Sequence, residues 1–194
     1  MLMSDDDIRA AIHIGWIGIN PFDHDMLQPA SIDVRLGNTF IEYIDFTGGD
    51  QLMRSPITID PEEDQSRLHQ TSVLPNNGAI LLHPGAFMLA HTQETITLGN
   101  KHAARLEGRS SFGRLGLIVH STAGFIDPGF TGQITLELSN LAPHPLVLRP
   151  GMRVAQISFT PMISAARAPY GLREGSKYQG QKGATPSMSY QDKW

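Results

Sequence analysis

The stretch RLEGRSSFGRLGLIVHSTAGFIDPGFTGQITLELSN, residues 105–140, decides the fold class of this chain. Its short apolar runs are separated by polar connections, and Asp127-Pro128-Gly129 is a turn sequence. The last run alternates in the period of a β-strand, with Leu136 facing one way and Glu137 the other. The stretch therefore predicts antiparallel β-structure with tight turns.

The same pattern of short strands and tight turns extends over most of the chain. It is seen in SIDVRL (31–36), TFIEYI (39–44), AILLHPGAFMLAH (79–91) and LVLRPGMRVAQISF (146–159). The dipeptides Pro84-Gly85 and Pro150-Gly151 predict two hairpins. Such spacing predicts an all-β sandwich or distorted barrel with low helix content.

Three segments depart from this β pattern. Ser4 and Asp7 form a capping-box pattern that predicts a short N-terminal helix ending at Gly15 and Gly18. Residues 47–78 are polar and predict a long surface excursion with one helical turn. Residues 171–194 are poor in apolar side chains, which predicts either a disordered tail or a lid that orders on a ligand. We therefore expect one β domain over 1–170 and a flexible C-terminal lid or tail over 171–194.

Composition limits the possible functions. The 194 residues carry a net charge of −4, which disfavours nucleic-acid binding, and no apolar run is long enough to span a bilayer. The chain has no cysteine, so disulfides and thiolate metal sites are excluded. We expect a cytoplasmic protein without membrane or nucleic-acid partners.

The connection at 107–116 has the chemistry of an anion-binding loop. Arginine forks match phosphate oxygens two at a time, and serines add hydroxyl groups. We expect Gly108 and Gly113 to adopt unusual dihedrals there. A polar surface loop with solvated arginines is the alternative, since the motif GxxxxGK[ST] is absent.

Two acidic residues are candidates for proton transfer. Glu137 lies in the middle of an apolar strand, where a general acid–base can be held, although a solvated glutamate on an edge strand is the alternative. Asp127 precedes a proline and could orient a hydroxyl or a water, or belong to an ordinary turn. The eight histidines form no metal-ligand pattern, and only His120 lies in this region.

The stretch 105–140, followed by RPGMRVAQISF (149–159) and SKYQGQKGATPS (176–187), closely resembles the dCTP deaminases of the trimeric dUTPase superfamily. SDDDIRAAI (4–12) and QPASIDVRLG (28–37) are similar to that family as well. The resemblance covers nearly the whole chain and is weakest at 47–78. It implies a distorted β jelly-roll (β-clip) that assembles as a homotrimer with active sites between subunits.

The resemblance also implies roles for individual residues. Glu137 would be the catalytic acid–base, Asp127 would contact the deoxyribose, and Thr135 and the backbone of Leu136 would contact the pyrimidine. The remaining substrate-binding residues would be Arg109, Ser110, Ser111, Phe112, Gly113, Arg114, Gln156, Tyr170, Lys177 and Gln181, with Tyr178 as a further lid candidate. Ser110 and Arg114 would also take part in catalysis.

The implied reaction is a deamination without zinc. Zinc-dependent nucleobase deaminases need cysteine ligands, which this chain lacks. Water held by Ser110 and the Ala123 carbonyl would instead be activated by Glu137. Mg²⁺ would be bound through the nucleotide triphosphate, and dTTP is a possible inhibitor.

One pair of residues is expected to separate two forms of the family. Gly124-Phe125 resembles the bifunctional form, which converts dCTP to dUMP and diphosphate for dTTP synthesis. A small residue at 124 would leave room for a second water, with Asp127 as its base.

The alternatives are a deaminase that releases dUTP, a plain dUTPase, a non-catalytic nucleotide-binding trimer and a sugar-binding jelly roll. Phe112, Ala155 and Ala184 depart from residues common in the family, which puts the loop packing and the lid in doubt.

Overall fold

The computed structural model describes residues 1–44, 58–120 and 123–192. Helix α1, Asp5–His13, begins at the predicted capping box, in which Ser4 and Asp7 bond reciprocally. It ends at His13, with Ile14 as the C-cap before Gly15, and Gly18 lies in the following strand rather than at the helix end.

The strands are short and antiparallel, so the predicted all-β class is confirmed. In chain order the strands and the second helix are β1 (Ile17–Asn20), β2 (Leu27–Gln28), β3 (Ser31–Arg35), β4 (Thr39–Tyr43), β5 (His69–Val73), β6 (Ile80–Leu82), β7 (Phe87–Leu98), β8 (His102–Gly108), α2 (Ser110–Gly113), β9 (Leu117–Val119), β10 (Phe125–Ile126), β11 (Thr131–Asn140), β12 (Leu146–Leu148) and β13 (Arg153–Pro161). Single 3-10 turns lie at His24–Met26, Ser66–Leu68 and Ser189–Gln191.

Two sheets enclose the core. The larger has the order β5-β4-β7-β11-β9, with β1 also on β7, and the second has the order β10-β8-β13-β3-β2. Buried side chains from both sheets form one cluster, including Phe40 and Leu136 from the first and Ile157 and Phe159 from the second. No helix within the described residues is long and apolar enough to cross a bilayer.

The prediction of two Pro-Gly hairpins is wrong. Gly85 and Gly151 have positive φ, as turn glycines do, but the strands beside each turn do not pair with each other. Instead β6 pairs with β12, and β7 and β13 enter different sheets. Each Pro-Gly turn therefore moves the chain from a two-stranded sheet into a main sheet.

The predicted excursion 47–78 also contains a strand that was not expected. Residues 45–57 lie outside the described part of the chain, and Ser66–Leu68 is the single helical turn that was predicted. The next residues, HQTSV, form β5 at the edge of the larger sheet, paired with β4. This strand is too polar for its alternation to be visible in the sequence.

A buried ion pair joins the two main sheets. Arg35 of β3 donates from Nε to Glu94 Oε1 at 2.7 Å and from its backbone N–H to Oε2 at 2.9 Å. The Glu94 side chain is 2% exposed and that of Arg35 19%. Glu94 lies where β7 bulges, since residues 92–94 face the single residue Ile134 of β11.

We expect Glu94→Gln to lower the free energy of unfolding by about 3 kcal/mol, because it leaves the largely buried Arg35 charge with only the more exposed Asp23 carboxylate, at 3.8 Å, as a counter-charge. Urea denaturation followed by circular dichroism measures this change. Glu63→Gln is the control: it removes the exposed pair with Arg67, and we expect a change within about 0.5 kcal/mol. Equal effects of the two substitutions would contradict the structural role of the buried pair.

Candidate active site

The arginine-rich connection forms one wall of a surface cleft. β8 ends at Gly108, Arg109 precedes α2, and α2 is a single helical turn where a loop was predicted. The cleft has a volume of about 760 Å³. We call it the anion cleft; its polar lining includes Asp33, Arg109, Ser110, Ser111 and Gln156.

The expected backbone conformation of two glycines in this connection is wrong. Neither Gly108 nor Gly113 has a positive φ, and Gly113 lies within α2. The left-handed glycine of the stretch is Gly116, which follows the helix. The backbone at Gly108 and Gly113 is therefore of a kind that other residues also adopt.

Arg109 is held in the anion cleft by two protein groups. Its Nη1 donates to the Arg153 carbonyl at 3.1 Å, and its Nε lies 3.2 Å from Asp33 Oδ1. Burial raises the pKa of the Asp33 carboxyl above its ordinary value, and the charges of Arg109 and Arg153 oppose that rise. The sequence interpretation missed Asp33, although its position between Ile32 and Val34 puts it on the opposite face of β3.

The remaining predicted phosphate residues lie on or after α2. Arg114 follows the helix and is exposed, whereas Phe112 packs against the core. Gln156 lies on β13 directly opposite Asp33 of β3, so their side chains share one face. The structure thus brings Arg109, Ser110 and Gln156 to one cleft.

Glu137 lies in a second cavity. This cavity has a volume of about 440 Å³ and is lined by apolar side chains such as Leu89, Phe130 and Ile134 around the carboxylate. We call it the carboxylate cavity; its other predicted members are Asp127, Thr135, Tyr170 and Gln181, with Phe125 and Tyr178.

The alternative of an edge-strand glutamate is wrong. β11 lies between β7 and β9 in the larger sheet. Glu137 is paired with Leu89 of β7, and its carbonyl accepts from the His120 N–H at 2.9 Å. Its side chain is half-buried on the face opposite the core, while the neighbouring Leu136 side chain is fully buried in the core. Leu136 can therefore meet a ligand only through its backbone.

The bulge in β7 precedes the functional half of β11. The Thr92 hydroxyl accepts from the Ile134 N–H at 2.9 Å and donates to the Glu94 carbonyl at 2.7 Å. The backbone group that the bulge leaves unpaired is thereby satisfied. Beyond this point Thr135 and Glu137 both line the carboxylate cavity.

His120 and Ala123 flank a short gap in the description, since residues 121–122 of the predicted stretch lie outside the described residues. His120 has a left-handed backbone (φ 52°), and its Nε2 donates to the Ala123 carbonyl at 2.8 Å. Both residues line the carboxylate cavity. Ala123, whose carbonyl was predicted to hold a water, therefore lies at the cavity, and in this structure its carbonyl accepts from the His120 imidazole.

The two residues of the Gly124-Phe125 pair contact different parts of the molecule: Gly124 lies against β8, and Phe125 lies at the carboxylate cavity. A β-carbon at Gly124 would lie 2.5 Å from the Leu106 carbonyl of β8, so no side chain fits there. The Gly124 carbonyl accepts from the Leu106 N–H at 2.8 Å, which holds β10 against β8. Phe125 is the member of the pair that lines the carboxylate cavity.

The C-terminal segment lies along β11 and closes one side of the carboxylate cavity. Gln133 is the main anchor: its backbone N–H donates to Gln181, its carbonyl accepts from the Gln181 side chain, and its Oε1 accepts from the Gly183 N–H. Thr135 Oγ1 accepts from the Thr185 N–H at 3.1 Å. Lys177 instead contacts Asp192, at 2.7 Å from Nζ to Oδ1.

The predicted site residues are thus divided between two places on one chain. The anion cleft and the carboxylate cavity have no lining residue in common among the described residues. The serine hydroxyls and Arg109 therefore lie in one cavity, and the candidate acid–base lies in the other. Val119 lines the anion cleft and the next residue, His120, lines the carboxylate cavity.

Comparison with known proteins identifies the family that the chain resembles. A family model described as dCTP deaminase-like matches residues 2–162. A protein of Corynebacterium diphtheriae named "dCTP deaminase, dUMP-forming" is 52% identical over 192 residues, covering 98% of each chain. A protein of Mycobacterium avium with the same name is 52% identical over 194 residues, covering 99% of this chain and 97% of the other.

A solved structure shows the same fold. The crystal structure of 2'-deoxycytidine 5'-triphosphate deaminase from Agrobacterium tumefaciens aligns with a TM-score of 0.59 and 25% identity. The alignment covers 81% of this chain and 47% of that chain. The predicted distorted jelly-roll is confirmed by this likeness.

We expect Gln133→Ala to loosen the C-terminal segment, because it removes the acceptor of the Gly183 N–H. Trypsin cleavage after the exposed Lys182 should become several-fold faster as the locally opened state gains population. Gel densitometry of a digestion time course measures this rate. Gln70→Ala on the exposed edge strand β5 is the control and should leave the rate unchanged; equal acceleration by both variants would show that the anchor does not hold the segment.

Proposed function

The chain belongs to the dCTP deaminase-like family, and we infer from its dUMP-forming relatives that it converts dCTP and two waters to dUMP, diphosphate and ammonia. The observation that carries this function in the structure is Glu137 in an apolar cavity beside Asp127 and Thr135. A carboxylate in such surroundings can transfer protons without a metal. Relatives named dUMP-forming favour this reaction over deamination that stops at dUTP.

Glu137 is proposed to act as general base and then as general acid. It takes a proton from a water held by the Ser110 hydroxyl and the Ala123 carbonyl, and the resulting hydroxide attacks C4 of cytosine. Glu137 passes this proton to the ring nitrogen, then takes the proton of the new C4 hydroxyl and gives it to the amino group. The C4–N bond breaks, ammonia leaves and the C4 carbonyl forms. Uracil remains on the deoxyribose triphosphate.

The base and sugar are proposed to lie in the carboxylate cavity. Asp127 contacts the deoxyribose, while Thr135 and the backbone of Leu136 contact the pyrimidine. Phe125 and Phe130 supply apolar surface that excludes bulk water around the reacting ring. Exclusion of water strengthens the electrostatic interactions of Glu137 with the substrate.

The triphosphate is proposed to bind the anion cleft of a neighbouring subunit. Arg109, Ser110, Ser111 and Arg114 would contact phosphate oxygens through charge-assisted hydrogen bonds, with Gln156 beside them. This arrangement is supported by the placement of the predicted residues in two cavities that share no lining residue among those described. We propose a closed homotrimer, in which each interface joins one anion cleft to one carboxylate cavity.

The second step cleaves the bond between the α- and β-phosphates. We propose that Asp127 activates the attacking water, so that dUMP and diphosphate are the products. Gly124 contributes by letting β10 lie close to β8, which sets the position of Phe125 at the cavity. Tyr170, Lys177 and Gln181 would complete the phosphate contacts when residues 171–194 act as a lid over the β domain of residues 1–170.

Mg²⁺ is proposed to bind through the triphosphate of the nucleotide. The described residues contain no group of three or more His, Asp or Glu side chains placed to hold a metal. Mg²⁺ in nucleotide enzymes is commonly bound mainly by substrate phosphates, where it neutralises charge. We further propose that dTTP, which shares the deoxyribose and triphosphate, can occupy this site as an inhibitor, and that the enzyme is cytoplasmic.

Glu137→Gln keeps the size of the side chain but removes its proton-transfer chemistry. We expect deamination of dCTP to fall by roughly 10²- to 10⁴-fold, with nucleotide binding retained. Chromatographic separation of dCTP, dUTP, dUMP and diphosphate measures the products. Wild-type enzyme should yield dUMP and diphosphate together; accumulation of dUTP without diphosphate would reject the second step, and a fully active Glu137→Gln enzyme would reject the first.

Mixing two inactive variants tests whether the site is shared between subunits. Glu137→Gln and Ser110→Ala chains, co-expressed in equal amounts, should assemble trimers in which roughly one site in four has both native residues. Activity should therefore exceed that of either variant alone. If native mass spectrometry shows mixed trimers but activity stays at the level of the separate variants, both residues act within one chain.

A further inference from the structure

Asp33 is a buried carboxylate with no assigned role in the reaction. It lies on β3 between Ile32 and Val34, which face the core, so its side chain faces the opposite way. That side is the anion cleft, which Asp33 lines together with Arg109 and Gln156. The residue is nevertheless only 1% exposed, so it lies at the bottom of the cleft.

The hydrogen bonding of this carboxylate is incomplete. Oδ2 accepts from Gln28 Nε2 at 3.5 Å and lies 4.0 Å from Arg153 Nη1. Oδ1 lies 3.2 Å from Arg109 Nε, but within the described residues it has no hydrogen bond of good geometry. A carboxylate without good partners is costly to bury, so this one needs Arg109 as its counter-charge.

Among the described residues, the Arg109 guanidinium contacts the Arg153 carbonyl and the Asp33 carboxylate. The Arg153 carbonyl accepts a hydrogen bond from Nη1, and the Asp33 carboxylate lies beside Nε. The other N–H groups of the guanidinium have no partner in the described part of the chain and are open to a ligand in the cleft, and 30% of the side chain is exposed. A guanidinium that is fixed before binding loses little conformational freedom when it meets phosphate oxygens.

We propose that Asp33 is a positioning residue, which orients the Arg109 guanidinium towards the nucleotide phosphates. This inference rests on the proposed function, because it assumes that Arg109 contacts the triphosphate. Asp33 itself touches neither the substrate nor the reacting water. The Nε–Oδ1 contact and the bond to the Arg153 carbonyl together set this orientation before the nucleotide binds.

The test compares nucleotides that differ only in their phosphates. Titration calorimetry with dCTP and dCMP is carried out in the Glu137→Gln background, so that no turnover occurs. We expect Asp33→Asn to reduce the preference for dCTP over dCMP by about tenfold, the effect of one charge-assisted hydrogen bond. In otherwise wild-type enzyme, the same substitution should raise KM for dCTP more than it lowers kcat.

Arg153→Gln is the matched control. It removes the other cation near Asp33 but keeps the backbone carbonyl that holds Arg109. This variant should keep the dCTP preference within about twofold of the parent, as expected for a partly exposed contact at 4.0 Å. A purely structural role of Asp33 would lower the affinity for dCTP and dCMP equally, and tighter dCTP binding would make Asp33 a competitor for Arg109; either result overturns the proposal.

Arg109→Gln separates this proposal from the function on which it rests. If Arg109→Gln leaves the dCTP preference unchanged, the proposed phosphate role of Arg109 fails. If it lowers the preference while Asp33→Asn does not, only the positioning role fails. The double variant should lose no more than Arg109→Gln alone. If Asp33→Asn does not fold, Asp33→Glu, which keeps the charge but displaces it, is judged by the same criteria.

Discussion

The buried contact between Arg35 and Glu94 is the constraint on which the site depends. It ties β3 of one sheet to β7 of the other at the point where β7 bulges. Because Glu94 is held there, the Thr92 hydroxyl can satisfy both the Ile134 N–H and the Glu94 carbonyl. The strand that carries Thr135 and Glu137 thus leaves the bulge in a fixed register, which is a requirement for placing an acid–base against a ring.

Dividing the site between two cavities has a chemical reason. The carboxylate cavity is largely apolar, so a triphosphate could not be neutralised within it. The anion cleft supplies cationic and hydroxyl groups, and its buried carboxylate, Asp33, is already in contact with Arg109. In the proposed homotrimer each cavity is built for one task, and assembly brings an anion cleft to a carboxylate cavity.

The sequence predicts local structure well and long-range pairing poorly. Alternation of apolar residues identifies β3, β4 and β11, and Ser4 with Asp7 identifies the start of α1, because these signals are local. The Pro-Gly turns are also visible, but which strand β6 or β12 meets is decided by contacts more than 60 residues apart. Asp33 was missed for a similar reason: its contacts with Arg109 and Arg153 join residues far apart in the sequence, which a single strand pattern cannot reveal.

The close approach of Gly124 to β8 limits how this active site can change. An added methyl group would meet a main-chain oxygen of Leu106, which cannot rotate away as a side chain can. Any larger residue must therefore displace β10 as a unit, carrying Phe125 and the turn at Asp127 with it. Variation at position 124 is therefore coupled to the backbone path of β10, and a change of side chain there cannot occur without a change in the spacing of two strands.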